Sequence, residues 1–242
     1  MYSVRACDEP LHICNIFKDL KYSRNFASLH PDYFYPDGLL VFTGAQGSGK
    51  TLSAVKYVCN LMKLYPSCKL VSNILIRDYP FDNDRVFLFR NSDDLMHYTN
   101  GEKGVIYLID EVQLYFNSLE SKNISIDVMT EISQQRKQRK HIVCTSQVFG
   151  RLAKPLREQF STVVLCRNYF HYLQVNKYVK QEDIEMSNDQ MHFKFNRCKR
   201  SIFFHSPDDY ANYDTYFKIE KSNFNDVKGG NINIYDLARN DE

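Results

Sequence analysis

Short, uninterrupted apolar runs recur through the first two thirds of the chain. They predict buried strands, at residues 39–43, 69–74, 85–89, 105–110, 142–146 and 162–166. Apolar side chains at helical spacing predict a helix over 50–64, which ends before Pro66. Ser92 is expected to cap a short helix, and Ser125 a longer one that runs to about Lys140. Strands that alternate with helices predict an α/β fold, with a mostly parallel sheet covered on both faces.

The pattern changes after Arg167. Residues 191–197 alternate strictly between apolar and polar side chains, as a half-exposed strand does, and the apolar stretch 201–205 follows. We therefore predict a small antiparallel addition over 168–205. The predicted organisation is an N-terminal extension (1–37), a main domain (38–205) and a C-terminal segment with a flexible tail (206–242).

Composition is that of a globular protein without a membrane span. The chain has 242 residues, of which 43% are hydrophobic and 25% charged. No apolar stretch approaches the roughly 20 residues needed to cross a bilayer, and the start lacks a signal-peptide layout. The seven cysteines are scattered, without a CxxC pair, so we expect free thiols in a reducing cytoplasm. The net charge is only +2, so a nucleic-acid partner must be argued from the distribution of charge.

The stretch GAQGSGKT, residues 44–51, matches the pattern G-x-x-x-x-G-K-[ST] between a predicted strand and a predicted helix. A polyphosphate needs inward-facing backbone N–H groups at a helix N-terminus, and glycines permit that close approach. Lys50 is expected to reach the β- and γ-phosphates of ATP, and the Thr51 hydroxyl to bind Mg²⁺. The competing interpretation is a glycine-rich turn that matches by coincidence. The predicted nucleotide-binding residues are Gly44, Ala45, Gln46, Gly47, Ser48, Gly49, Lys50, Thr51 and Leu52.

Two acidic residues, Asp110 and Glu111, end the apolar run VIYLIDE. An acid at the carboxyl end of a parallel strand faces the ligand crevice of an open α/β sheet. We expect Asp110 to hold Mg²⁺ and Glu111 to act as general base toward the attacking water. The alternative is a strand end with two solvated carboxylates.

Basic residues are concentrated in the stretch 134–159, in which Glu158 is the one acid. Arg136 and Arg139 are candidates for an arginine finger that reaches the nucleotide of a neighbouring subunit. Contact with the phosphate backbone of DNA is the second interpretation, with Arg151, Lys154 and Arg157 as the candidate residues. A solvated helix face is the third.

Gln147 follows a predicted core strand at its carboxyl end. It is a candidate sensor of the γ-phosphate or its water, and a helix cap is the alternative. The 17 tyrosines and 17 phenylalanines are spread through the chain and are expected to lie mostly in the core, so the sequence predicts no base-stacking surface.

Taken together, these motifs resemble the HerA/FtsK-type DNA-pumping ATPases of the P-loop class. The segment QQRKQRKHIVCTSQVFGRLAKPLRE looks most like the zonular occludens toxin (Zot) domain of phage assembly ATPases, to which viral genome-packaging ATPases are related. The stretch ANYDTYFKI (211–219) is similar to a segment near the end of such domains. The resemblance covers roughly residues 39–219.

The resemblance implies ATP hydrolysis coupled to movement of DNA through a ring of subunits. It assigns Lys50 and Thr51 to nucleotide and Mg²⁺, Asp110 and Glu111 to metal and catalysis, and Gln147 to sensing. Either Arg136 or Arg139 becomes the trans finger. The related phage proteins usually continue into a membrane-spanning helix. This sequence has no such stretch, which favours a soluble packaging motor in the host cytoplasm, working at a viral portal or capsid vertex.

Two other functions stay open at the level of sequence. One is a nucleotide-dependent assembly or export protein that acts on protein partners rather than on DNA. The other is a soluble kinase, for which the sequence offers no specific acceptor site.

Overall fold

The computed structural model describes residues 38–76, 83–116, 125–187, 190–193 and 198–206, together with Tyr210 and ten residues between 21 and 35. Of residues 186, 187 and 190–193 only the backbone is described. The predicted N-terminal extension and C-terminal segment lie mostly outside these ranges. The stretch 211–219, part of the family resemblance, lies wholly outside them.

An eight-stranded sheet forms the centre of the molecule, in the strand order β10-β7-β6-β1-β5-β4-β2-β3. Strands β1 to β6 pair in parallel, as predicted, whereas β7 and β10 extend the sheet in antiparallel pairing beyond β6. Strands β8 and β9 form a separate antiparallel pair. The strands are β1 (Leu39–Thr43), β2 (Lys69–Ser72), β3 (Val86–Leu88), β4 (Val105–Ile109), β5 (Lys140–Ser146), β6 (Phe160–Tyr169), β7 (Leu173–Lys180), β8 (Ile184–Ser187), β9 (Gln190–Phe193) and β10 (Lys199–Phe204).

Helices cover both faces of the sheet. The long helix α1 (Lys50–Leu64) packs its apolar side on one face, where it meets Phe42 and Val143. The opposite face is covered by α2 (Asp94–His97), α3 (Ile126–Gln134) and the segment that contains α4 (Lys154–Arg157). Burial of both faces explains why β1 and β4 consist of apolar and aromatic residues, apart from Thr43 at the end of β1. Within the described residues, no helix is both long enough and apolar enough to cross a membrane.

Helix α3 is shorter than predicted. Ser125 caps it as expected, since its side chain accepts a hydrogen bond from the Val128 amide at 3.2 Å. The helix ends at Gln134, however, because the Lys140 amide donates back to the Gln135 carbonyl and Arg139 adopts a left-handed φ of 55°. The turn over 135–139 therefore reverses the chain into β5. Because Arg136 and Arg139 lie in this turn and not in the helix, helical spacing does not predict where their side chains lie.

The predicted cap at Ser92 is also wrong. Helix α2 begins at Asp94, and the preceding Asp93 makes no side-chain capping bond. The Asp94 carboxylate instead accepts the Arg90 amide at 2.7 Å and pairs with the Arg90 guanidinium, which fixes the turn before the helix.

The antiparallel addition after Arg167 is confirmed, but it is continuous with the main sheet. Strand β6 runs on to Tyr169 and pairs along its length with β7, and β10 then pairs with β7. Strand β9 covers the first part of the alternating stretch, while residues 194–197 lie outside the described ranges. Among the described cysteines, Cys68, Cys144 and Cys166 are buried free thiols, as expected.

Candidate nucleotide-binding site

The loop Gly44–Gly49, which we call the phosphate loop, connects β1 to α1 at the carboxyl edge of the sheet. Gly44 has a φ of 153°, and a Cβ atom there would lie 2.7 Å from the Cys166 carbonyl oxygen. Gly47 has a φ of 75°, although the space around it is open. The loop therefore needs glycine at 44 for both conformation and room, and at 47 for conformation alone.

The N-terminus of α1 faces into this loop. The helix has no side-chain cap and no acidic residue in its first turn. Lys50 begins the helix, is almost buried, and donates from Nζ to the Ala45 carbonyl at 3.1 Å, across the loop. Backbone amides, a helix dipole and a lysine thus converge on one point, which is the arrangement that binds phosphate.

Thr51 and Asp110 meet beside this loop. The Thr51 hydroxyl donates to Asp110 Oδ1 at 3.0 Å, and the Thr145 hydroxyl donates to the same oxygen at 2.6 Å. Burial raises the pKa of Asp110, and the two hydroxyl donors counteract part of that effect. A hydroxyl and a carboxylate are oxygen ligands of the kind that Mg²⁺ prefers. No cluster of three or more His, Cys, Asp or Glu side chains suited to a metal occurs among the described residues.

Two residues that the sequence did not single out hold the acidic pair in place. The Asn73 side chain accepts the Asp110 amide at 2.7 Å and donates to the Asp110 carbonyl at 2.9 Å. Thr145, besides its bond to Asp110, accepts the Glu111 amide at 2.9 Å. Asn73 follows β2 and Thr145 lies near the end of β5, on either side of β4. The sequence signal that could have identified Asn73 and Thr145 is a polar residue at the end of each parallel strand next to β4.

Glu111 adopts a left-handed conformation, with a φ of 51°, directly after Asp110. Its carboxylate accepts a hydrogen bond from Gln147 Nε2 at 3.2 Å and another from Nε2 of the Gln113 side chain. A non-glycine residue in this conformation is strained, and such strain is concentrated at functional sites. Gln147, the candidate sensor, is therefore in contact with Glu111, the candidate base.

A cleft of about 780 Å³ opens beside the loop, between residues 147–150 and residues 165–169. Two side-chain oxygens in its wall, Ser48 Oγ and Asn168 Oδ1, are buried and have no hydrogen-bond partner among the described residues. Burying a polar atom without a partner is costly, and a bound polar ligand removes that cost. The cleft, its glycine-lined floor and its orphaned oxygens fit a nucleotide.

Strand β7 supports the phosphate loop from the side, a contact that the sequence did not predict. The Gln174 side chain, 0% exposed, donates to the Ser48 carbonyl at 3.0 Å. Asn176, 2% exposed, accepts hydrogen bonds from Gln174 and from Ser53 of α1. His205, after β10, contacts Gln174 Oε1 at 3.2 Å. The antiparallel strands thus belong to the site's framework.

The two candidate finger residues lie far from their own chain's loop, at the amino edge of the sheet. Arg136 is exposed and lies beside Gly38, before β1. Arg139 donates to the Phe34 carbonyl at 2.9 Å, hydrogen-bonds the Tyr33 hydroxyl, and has its guanidinium 3.6 Å from the centre of the Tyr33 ring. Arg139 is therefore engaged within its own chain.

The candidate DNA-contact residues lie on the segment between β5 and β6. Arg151 and Lys154 are exposed. Arg157 is half-buried and donates to the Gly150 carbonyl at 3.1 Å, which ties α4 to the wall of the cleft.

Comparison with known proteins places this site in a family. The sequence model of the family described as zonular occludens toxin (Zot) matches residues 38–204, from the residue before β1 to the end of β10. The chain belongs to the Zot family. Its framework is that of P-loop NTPases, as the order of strands and the position of the loop indicate. No curated protein matches the chain.

A solved structure shows the same fold. The N-terminal domain of zonular occludens toxin from Neisseria meningitidis superposes with a TM-score of 0.51 at 16% identity, covering 73% of this chain and 98% of that one. The genome-packaging NTPase B204 from Sulfolobus turreted icosahedral virus 2, solved with ATP-gammaS, gives 0.47 at 12% identity, with 71% and 98% covered.

Proposed function

We propose that this Zot-family chain is an ATP-hydrolysing motor that moves DNA, in the manner of a viral genome-packaging ATPase. The observation that carries the proposal is the contact between the Thr51 hydroxyl and Asp110 at the mouth of the phosphate loop. It joins the loop after β1 to the acid after β4, at the edge of the sheet where α/β folds bind ligands.

Each residue of the site has a role in hydrolysis. Lys50 and the amides after Gly44 would hold the phosphates, and Thr51 and Asp110 would hold the metal ion. Glu111 orients and deprotonates the attacking water. Bound Mg²⁺ would neutralise part of the negative charge of the phosphates. Gln147 contacts Glu111, so it is placed to link the state of the phosphate to the segment that follows it.

We assign the trans arginine finger to Arg136. Arg136 lies beside Gly38, whereas the phosphate loop begins at Gly44, on the far side of β1. At about 3.3 Å per strand residue the two ends are separated by roughly 17–20 Å, so Arg136 reaches a nucleotide only on another chain. Such fingers contribute about 10³–10⁵ in rate in other NTPases. A ring of subunits, with each site completed by a neighbour, satisfies this geometry.

DNA contact is assigned to the segment after Gln147. Arg151 and Lys154 are exposed there, and Arg157 ties the segment to the wall of the nucleotide cleft. A change at the γ-phosphate can therefore shift basic side chains that touch the DNA backbone. A viral portal or capsid vertex is the expected docking partner of such a motor.

The experiment is an ATPase assay with and without DNA, beside the measured mass in solution. We expect Mg²⁺-dependent hydrolysis that DNA stimulates and that Lys50→Ala abolishes, while Lys63→Ala, on the exposed end of the same helix, leaves it unchanged. Engagement of about four phosphates predicts a log–log salt slope for duplex binding near −3.6, at roughly −0.9 per contact. ATP hydrolysis without any DNA affinity at low salt would instead favour assembly or export through protein partners.

A further inference from the structure

A row of exposed aromatic rings lies at the edge of the sheet where β6 and β10 end and β7 begins. Phe170 and Tyr172, in the turn between β6 and β7, are 75% and 52% exposed, and Phe204 at the end of β10 is 67% exposed. Ring centroids are 6.0 Å apart between Phe170 and Tyr172, and 6.1 Å between Tyr172 and Phe204, with interplanar angles of 27° and 14°. Three nearly parallel rings are thus exposed to solvent, although the sequence predicted no base-stacking surface.

The turn that carries this row is strained. Phe170 and His171 both have left-handed conformations, with φ of 56° and 63°, and neither is glycine. Consecutive residues of this kind cost free energy that a glycine would avoid. Backbone strain and exposed aromatic area occur together here. Both cost free energy, and a ligand that binds the rings would explain why both are retained.

Basic side chains extend the row across one face of the sheet, which we call the aromatic face (Arg167, Tyr169, Phe170, Tyr172, Lys177, Arg200, Ile202 and Phe204). The register pairs Leu173 with Tyr169 and Phe204, and Val175 with Arg167 and Ile202, so these side chains point to the same side. Residues 160–180 and 198–206 contain no aspartate or glutamate. The face is therefore cationic as well as aromatic.

Helix α1 covers the other side of these strands. Gln174 and Asn176 face α1 through Ser53, and Lys56 of α1 lies 4.3 Å from the Phe203 ring centre. The aromatic face points the other way, to the side on which Phe149 and Leu156 pack. It therefore shares a side of the sheet with the segment that carries Arg151 and Lys154, and Arg167 and Tyr169 also line the nucleotide cleft.

We propose that the aromatic face binds single-stranded nucleic acid, by stacking unpaired bases on Phe170, Tyr172 and Phe204 while Arg167 and Arg200 contact the phosphates. Aromatic rings interleaved with cations, without acids, form the surface on which single strands bind independently of sequence. In a duplex the bases are already stacked on one another, so their faces are not accessible to side chains. A second copy of the chain is a poorer occupant, because two such cationic faces repel each other. This proposal rests on the proposed function in one respect only, namely which nucleic-acid strand is bound in vivo.

The test is fluorescence anisotropy of the full chain with a labelled oligothymidylate, longer than the ~4–16 nucleotides that single-strand folds cover. Phe170→Ala, Tyr172→Ala and Phe204→Ala are each expected to weaken binding about 5-fold or more, the equivalent of losing one stacked base. Ile202→Ala, on the same face, removes apolar area without a ring and is expected to bind like the parent. A duplex is expected to respond to none of the four variants.

Phe204→Leu and Phe204→Trp separate stacking from general apolar contact. Leu keeps the bulk but has no ring, so it is expected to bind as weakly as Ala, whereas Trp is expected to restore binding. Thermal melting confirms that each exposed substitution leaves the fold intact. Parent-like oligothymidylate binding by the ring variants, or by Phe204→Leu, would overturn the proposal. So would a change in solution mass with no change in oligothymidylate binding, which identifies a second copy as the occupant.

ATP hydrolysis, measured on the same samples without DNA, separates this proposal from the proposed function. ATP hydrolysis without oligothymidylate binding would contradict the proposed stacking surface but not the proposed ATPase. Ring-dependent oligothymidylate binding by a chain that hydrolyses no ATP would contradict the proposed motor but not the stacking surface.

Discussion

The Thr51 hydroxyl lies 3.0 Å from Asp110 Oδ1, although 59 positions separate the two residues in the chain. Strand order brings them together, since β1 and β4 are both neighbours of β5 and all three end at the same edge of the sheet. One oxygen of Asp110 also accepts the Thr145 hydroxyl, so residues that follow or end three strands share one point. We take that point to be the position of the metal ion.

Replacing Thr51 tests this metal position. Thr51→Val keeps the shape of the side chain and removes the hydroxyl, whereas Thr51→Ser keeps the hydroxyl. We expect Thr51→Val to require about 10-fold or more additional Mg²⁺ for half-maximal ATP hydrolysis, because an oxygen ligand is lost. Thr51→Ser should stay close to the parent. The measurement is ATPase rate against Mg²⁺ concentration, and equal Mg²⁺ requirements for Val and Ser would contradict the assignment.

Asp110→Asn is expected to separate stability from activity. Burial raises the pKa of Asp110 in the folded chain, so the folded state binds its proton more tightly than the unfolded state does. Stability of the metal-free protein should therefore fall as the pH rises from the unfolded pKa, about 3.9, through the raised folded pKa. Asn carries no charge and keeps an oxygen that accepts from Thr51 and Thr145.

Asp110→Asn without metal should consequently melt at a higher temperature than the parent at neutral pH, and the difference should shrink toward pH 4. Hydrolysis of ATP should be lost. Thermal melting across pH gives the first result and an ATPase assay the second. Asp93→Asn, at an exposed site, is the matched control and should change neither. A parent-like pH dependence in Asp110→Asn would show that this carboxylate carries no such cost.

Gln174 is expected to matter for nucleotide binding although it belongs to the antiparallel strands. Gln174→Ala removes the donor to the Ser48 carbonyl and leaves buried Asn176 with one partner fewer. A loss of about 1–3 kcal/mol in unfolding free energy is expected from an unmade buried hydrogen bond. Weaker nucleotide affinity should accompany it, because the loop loses its lateral support.

Denaturant melts and titration with a fluorescent ATP analogue measure these two quantities for Gln174→Ala. Gln134→Ala, at the exposed end of α3, is the control and should match the parent in both. Unchanged nucleotide affinity in Gln174→Ala would confine the role of β7 to stability.

Arg136 and Arg139 are expected to fail in different ways. Arg139→Ala loses the bonds to Phe34 and Tyr33, so we expect lower thermal stability. Arg136→Ala should lose the rise of ATP turnover with protein concentration that a trans finger produces. Arg136→Lys, which keeps the charge but not the planar fork, should recover little of it. Concentration-dependent turnover that survives in Arg136→Ala would exclude Arg136 as the finger.

The sequence predicted the fold and the centre of the site because both rest on local patterns. The apolar run before Gly44 and the helix over 50–64 lie where periodicity places them, and the run before Asp110 identified the second half of the site. These residues act through their position at the end of a strand or the start of a helix. That position is visible without knowledge of which strands are neighbours.

Contacts that depend on strand order could not be predicted in the same way. Asn73 and Thr145 matter because β2 and β5 flank β4, and Gln174 matters because β7 folds back beside the phosphate loop. The aromatic face was missed because Phe and Tyr are ordinary core residues, and only the pairing of β6, β7 and β10 shows which of them stay in water. The prediction for helix α3 was too long because Arg139 adopts a left-handed conformation, and no glycine or proline in residues 135–139 indicates this in the sequence.

A crystal structure of the chain with a non-hydrolysable ATP analogue and Mg²⁺ tests the proposed site most directly. We expect the β- and γ-phosphates within hydrogen-bonding distance of Lys50 Nζ and the loop amides, and the metal ion on the Thr51 hydroxyl, facing Asp110. A nucleotide bound elsewhere, or an Asp110 carboxylate turned away from the metal ion, would contradict it.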